Sequence, residues 1–137
     1  MKLYRLNLEE LPLNIKSMIE NFSDGIVILQ GDLAAGKTTF VKEVVKFFNI
    51  KDDVTSPTFS LQQCYGDSIY HYDLYNHGLE HFISLGMLEE LEKSGLHFVE
   101  WGDTKLQNIL TNAGLNVMTI KIEKTSQEMR EYRVEYA

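Results

Sequence analysis

Residues 2–7 alternate between polar and apolar side chains, and a period of two predicts a strand. A short helix is expected next, with Pro12 tolerated in its first turn and Leu13, Met18, Ile19 and Phe22 on its inner side. Ser23-Asp24-Gly25 breaks the chain. Gly25–Gln30 then carries the run Ile26-Val27-Ile28-Leu29, the pattern of a strand covered on both faces. Gly31–Gly36 reads as a loop, and Lys37–Phe48 as a helix burying Phe40, Val41, Val44, Val45 and Phe48. Phe59–Tyr65 and Ser68–Tyr75 flank Gly66-Asp67 as the arms of a hairpin. Leu79–Lys93 is mostly helical with an interruption near Gly86, and Leu96–Glu100 is a short apolar strand. Asn116–Glu123 and Glu131–Tyr136 are expected strands around a polar connection. A strand–loop–helix unit followed by further strands predicts an α/β fold of three layers around a mixed, mostly parallel sheet.

Composition narrows the class. A length of 137 residues suits a single domain, 1–137. With 44% apolar and 24% charged residues, disordered and fibrous architectures are excluded. The four-residue run at Ile26–Leu29 is far short of the ~20 apolar residues of a membrane span. One cysteine, Cys64, supports neither an internal disulfide nor a metal cluster, so the expected location is the cytoplasm, with no membrane partner. Thirteen Lys and Arg against 20 Asp and Glu give a net charge of −7, the wrong sign for a stand-alone nucleic-acid binder.

The chemistry concentrates in Gly31-Asp32-Leu33-Ala34-Ala35-Gly36-Lys37-Thr38, which fits the phosphate-loop pattern G-x-x-x-x-G-K-[ST] at every fixed position. Glycines let the backbone bend tightly, so that successive N–H groups form a nest for phosphate oxygens. The helix that starts near Lys37 adds its unpaired N–H groups and the positive end of its dipole. Lys37 is placed to reach the β- and γ-phosphates, and the Thr38 hydroxyl to ligate Mg²⁺. A random chain of this length would match the pattern about once in 200. Its setting, between a buried-type strand and an amphipathic helix, makes chance rarer still.

A phosphate loop needs a second acid. Glu100 ends the strand Leu96–Glu100, where open α/β sheets place their ligands, although a solvated glutamate at a strand end would look the same. In Ser68–Tyr75, period two sets Ile69, His71, Asp73 and Tyr75 on one face and Tyr70, Tyr72 and Leu74 on the other. His71 and Asp73 are therefore neighbours, on what could also be an exposed sheet face. Thr55-Ser56-Pro57-Thr58 is a turn signal that also looks like a switch loop. His77 and His81 have the spacing of paired metal ligands but no third ligand, so a solvated helix face is the better reading. Cys64 reads as a small strand residue.

Gly31–Phe40, Ser56-Pro57-Thr58-Phe59, His71-Tyr72-Asp73-Leu74-Tyr75 and Val99-Glu100-Trp101 occur in that order. Together they resemble the TsaE (YjeE) family, small bacterial P-loop ATPases needed to make threonylcarbamoyladenosine in tRNA. The resemblance runs from about residue 3 to the C-terminus, and four ordered motifs are far more specific than the phosphate loop alone. It implies a P-loop NTPase-like fold, binding of ATP or ADP with Mg²⁺, and action with the TsaB–TsaD heterodimer. TsaD makes the transfer to adenosine, tRNA is reached only through the complex, and hydrolysis resets the complex between turnovers. Carried across, Gly31, Asp32, Leu33, Ala34, Ala35, Gly36, Lys37, Thr38 and Thr39 bind phosphates, Thr38 and Glu100 hold Mg²⁺, and Thr58 belongs to the switch-like loop. Lys37, Asp73 and Glu100 are then catalytic, Asp73 through the metal or the attacking water. Trp101 lies by the nucleotide, and Asn7 and Arg130 approach adenine and ribose.

Three departures stand against the family pattern. Ala34 replaces a usual glycine, Asn76 replaces the arginine that usually follows Asp-Leu-Tyr, and Ala137 ends a short tail. Two other activities fit the phosphate loop: a nucleotide-gated binding module with incidental turnover, and a small-molecule kinase. Against the kinase, Arg5, Arg130 and Arg133 are the only arginines, and none lies in a lid-like loop.

Overall fold

The computed structural model describes residues 1–32, 34–54, 61–76 and 78–136. Its chain order is β1 (Lys2–Leu6), α1 (Leu11–Met18), β2 (Gly25–Gln30), α2 (Lys37–Phe47), β3 (Gln62–Tyr65) and β4 (Ile69–Asp73). There follow α3 (Gly78–Ser84), α4 (Met87–Glu90), β5 (Leu96–Glu100), α5 (Thr104–Asn112), β6 (Val117–Lys124) and β7 (Arg130–Tyr136). The seven strands among the described residues form one sheet in the order β1-β7-β6-β2-β5-β4-β3.

The centre of the sheet is parallel: β2 pairs in parallel with both β5 and β6, and β5 with β4. The β1–β7, β6–β7 and β3–β4 pairs are antiparallel, so β7 and β3 alone run against the other five strands. The expected mixed, mostly parallel sheet is present.

The apolar run of β2 explains the layers. Val27 and Leu29 point to one face, into a core with Leu11, Ile15 and Met18 of α1 and Phe40, Val41 and Val44 of α2. Ile26 and Ile28 point to the other, among Phe82 of α3, Leu91, and Leu106 and Leu110 of α5. Period two in one strand thus supplies two cores, and helices cover both faces.

Several sequence expectations change. Leu13 is 82% exposed, because the inner side of α1 follows Leu11, Ile15 and Met18 at helical spacing and Leu13 falls off that stripe. Helix α2 ends at Phe47, so Phe48 is its C-cap and lies half-exposed against the Phe47 ring, centroids 5.1 Å apart. Helix α5 is an addition to the expected elements; Asp103 caps it, accepting from the Leu106 N–H at 2.9 Å. The helical stretch before β5 stops at Glu90. The hairpin is present as β3–β4, with Tyr65 opposite Ile69; residues 59 and 60 of its first arm lie outside the described residues.

Candidate functional site: a phosphate loop at the carboxyl edge of the sheet

Strands β2, β5 and β4 end side by side, Leu29 opposite Glu100 and Glu100 opposite Asp73. Parallel pairing therefore brings both acids to the edge from which the phosphate loop leaves β2. Gly31 permits that departure: its φ is +155°, and a Cβ there would meet the Ile122 carbonyl oxygen at 2.5 Å. Gly36, at φ +114°, is the N-cap of α2 and lacks a side chain, so the helix enters the site without a side-chain cap on its first N–H groups. An uncapped N-terminus of an eleven-residue helix offers donors and positive potential to an anion.

Lys37 opens α2 and is almost fully buried. Its Nζ donates to the carbonyls of Gly31 at 2.7 Å and Asp32 at 2.9 Å. It also lies 4.0 Å from the centroid of the Trp101 ring. Burial lowers the lysine pKa below its ordinary value, while Glu100, Asp73 and Asp32 oppose that shift. The ammonium is thus held inside the loop by groups that a phosphate could replace.

Thr38 Oγ1 donates to Glu100 Oε2 at 2.8 Å. The same oxygen meets His71 Nε2 at 2.5 Å, and His71 Nδ1 lies 3.0 Å from the Tyr65 hydroxyl. Asp73 is buried at the end of β4, and its Oδ1 accepts from the Tyr75 N–H at 2.8 Å. The face of β4 that carries His71 and Asp73 is therefore interior, not an exposed sheet face.

These groups open onto a cavity of about 580 Å³. Ala34, Gly36, Lys37, Thr38 and Thr39 line it from the phosphate loop, and Asp73, Glu100, Trp101 and Arg130 from elsewhere. Arg130 reaches across from β7, its Nε donating to the Ala35 carbonyl at 2.8 Å. Leu8, Tyr75 and Asn76 complete the lining.

Not every expected residue joins this cavity. Asn7 lines a neighbouring one that shares Leu8 and Arg130, and its side chain accepts from the Glu10 N–H at 2.9 Å at the start of α1. Gly31, Asp32 and Ala35 line a third cavity, against Lys121–Lys124, although the Gly31 and Asp32 carbonyls still hold Lys37. Leu33, Thr58 and the rest of the Thr55–Thr58 loop lie outside the described residues, as does His77. His81 is exposed on α3, and Cys64 is exposed in β3.

Sequence reasoning missed Leu8 and the Tyr65 contact to His71. Leu8 follows the alternating stretch with no motif of its own. Tyr65 carried a usable signal, since hairpin register around Gly66-Asp67 puts Tyr65 opposite Ile69, on the His71 face.

A family model described as "Threonylcarbamoyl adenosine biosynthesis protein TsaE" matches residues 3–132. The chain belongs to the TsaE family. Among curated relatives named tRNA threonylcarbamoyladenosine biosynthesis protein TsaE, that of Rickettsia prowazekii is 38% identical over 113 residues, covering 72% of this chain and 77% of that protein. That of Treponema pallidum is 42% identical over 81 residues, 57% of this chain and 60% of that protein. That of Bacillus subtilis is 35% identical over 100 residues, 65% and 63% respectively. The chain thus spans only about three fifths of the Treponema and Bacillus proteins. A crystal structure of Bacillus subtilis YdiB superposes with a TM-score of 0.71 at 26% identity, covering 99% of this chain and 84% of that one. The family model and these curated relatives all carry threonylcarbamoyladenosine biosynthesis in their names. Among the described residues, no helix is long and apolar enough to cross a membrane.

Proposed function

We propose that this chain is a Mg²⁺-dependent ATPase subunit that acts with the TsaB–TsaD heterodimer in the cytoplasm and resets that complex between rounds of tRNA modification. One observation carries the reading: Thr38 of the phosphate loop donates to Glu100 at 2.8 Å, with Lys37 beside them in the same cavity. This is the pairing of loop hydroxyl and strand-end acid that a metal–triphosphate site uses.

The donor set suits magnesium. The Thr38 hydroxyl and the carboxylate of Glu100 are hard oxygen ligands. Among the described residues no group of three His, Cys, Asp or Glu side chains is arranged to hold a metal ion. Mg²⁺ is usually held by one or two protein groups together with phosphates and water. When bound, the ion neutralises charge on the β- and γ-phosphates.

The protein's own part is to bind and orient. Backbone N–H groups at the start of α2 take the phosphates, and Lys37 exchanges the Gly31 and Asp32 carbonyls for phosphate oxygens. Trp101 and Arg130 flank the nucleotide, and ATP or ADP is the ligand. Asp73, whose Oδ1 is anchored by the Tyr75 N–H, orients the attacking water. tRNA is reached only through the complex.

Steady-state ATP hydrolysis with Mg²⁺, for the chain alone and with TsaB–TsaD, tests the proposal. Turnover that rises sharply with the partners is expected. A near-zero rate in both conditions with ATP still bound would instead identify a nucleotide-gated binding module.

A further inference from the structure

We infer that His71 is a positioning residue that fixes Glu100, and through it the Thr38 hydroxyl, for metal binding in the nucleotide site. The inference rests on the Mg²⁺–nucleotide reading above.

Its ground is the convergence on a single oxygen. Thr38 Oγ1 and His71 Nε2 both contact Glu100 Oε2, at 2.8 and 2.5 Å, and Oε1 takes part in neither contact. The two partners come from different elements, α2 and β4. Glu100 is therefore gripped across the gap between the phosphate-loop helix and the neighbouring strand.

The imidazole is itself held. His71 is fully buried, and its Nδ1 lies 3.0 Å from the Tyr65 hydroxyl, which donates to Gln63 Oε1 at 2.7 Å. Tyr65 at Nδ1 and Glu100 at Nε2 hold the ring from two sides and so set its orientation. A ligand carboxylate backed by an oriented imidazole is the outer-shell arrangement that tunes metal sites. The Thr38 proton is already committed to Oε2, which leaves the hydroxyl's lone pairs as its metal-binding side. Displacing the carboxylate would release that hydroxyl to rotate.

The test is Mn²⁺ binding to the protein–ADP complex, followed by electron paramagnetic resonance, with circular dichroism on every variant. His71→Ala is expected to weaken Mn²⁺ binding about 10–100-fold, while ADP binding in EDTA stays within about twofold of the parent. His71→Gln, which keeps a side-chain donor, is expected to recover part of the loss. Tyr65→Phe, which lacks only the oxygen behind the ring, is expected to weaken Mn²⁺ binding less than His71→Ala does. A merely structural role would move ADP binding without metal as much as Mn²⁺ affinity, and that result overturns the inference. So does unchanged Mn²⁺ affinity in a folded His71→Ala. Should His71→Ala fail to fold, unchanged Mn²⁺ affinity in both His71→Gln and Tyr65→Phe overturns it. A parent that binds ADP but no Mn²⁺ would remove the metal reading itself, which separates the two failures.

Discussion

Replacing Lys37 with methionine separates what the ammonium does for the fold from what it does for a nucleotide. Methionine keeps the apolar stem and removes the charge. A count of partners predicts a large loss of stability: two charge-assisted hydrogen bonds, at 2.7 and 2.9 Å, are worth about 1.5–3 kcal/mol each. The contact with the Trp101 ring at 4.0 Å adds about 1–2 kcal/mol. That sum omits the cost of burying the charge. Burial lowers the Lys37 pKa in spite of the attraction of Glu100, Asp73 and Asp32. A folded-state pKa below the unfolded one means that the charged form weakens the fold at neutral pH. Lys37→Met is therefore expected to cost less than that sum of contacts suggests, below about 3 kcal/mol. Hydrolysis in the presence of the partners is expected to drop about 10²–10³-fold, the usual cost of one preorganised donor to developing charge. Urea unfolding of the free protein and kcat/KM for ATP check the two halves. A loss of more than about 3 kcal/mol would refute the burial argument, since the ammonium would then be a net stabiliser. A rate within about threefold of the parent would refute its place in the chemistry.

Gly31→Ala is expected to destabilise the protein by at least about 2 kcal/mol in urea melts, because its Cβ would press on the Ile122 carbonyl at 2.5 Å and the Ala35 methyl at 3.1 Å. Asp103→Ala is expected to cost about 1 kcal/mol through loss of the cap on α5, with ATP hydrolysis unchanged, since Asp103 does not line the cavity. Tyr72→Phe takes away a buried hydroxyl that lies 2.7 Å from His97 Nδ1 and accepts from Gln62 at 3.1 Å, and is expected to cost about 1–3 kcal/mol. Burial holds the His97 pKa below the ordinary histidine value, partly offset by its hydrogen bond to the Lys93 carbonyl. The unfolded chain therefore takes up that proton first as pH falls through about 6.5, and stability drops with it; urea midpoints of a His97→Gln variant are expected to fall less steeply than those of the parent.

How much of this was readable in the sequence follows from how local each determinant is. The phosphate loop is local: eight consecutive residues carry the glycine conformations, the lysine and the hydroxyl, so Gly31–Thr38 could be read directly. The β2 run and the Gly66-Asp67 hairpin are also local, and both elements stand where expected. Errors came where a short window leaves the phase free. Leu13 and Phe48 are apolar residues beside helical stripes, and only the packing of α1 and α2 on the sheet shows that they miss the core. Helix α5 is hard to read from the sequence although Asp103, Leu106 and Leu110 form a cap and a stripe, because Thr104, Lys105, Gln107 and Asn108 dilute the apolar signal.

The acids are a different case. Asp73 and Glu100 stand 27 positions apart in the chain, yet adjacent parallel strands place them opposite one another. Period two within β4 was enough to put His71 beside Asp73, but not to say whether that face was wet or dry. Burial decides it: Ile69, His71 and Asp73 are all buried, so that face is interior, and His71 must then satisfy both ring nitrogens inside the protein. It does so on Tyr65 and Glu100. The buried imidazole is held by Tyr65 of β3 on one side and meets the strand-end acid on the other. The same burial that makes His71 look structural therefore makes it a suitable support for Glu100, because a group screened from water holds its partner without competition from solvent.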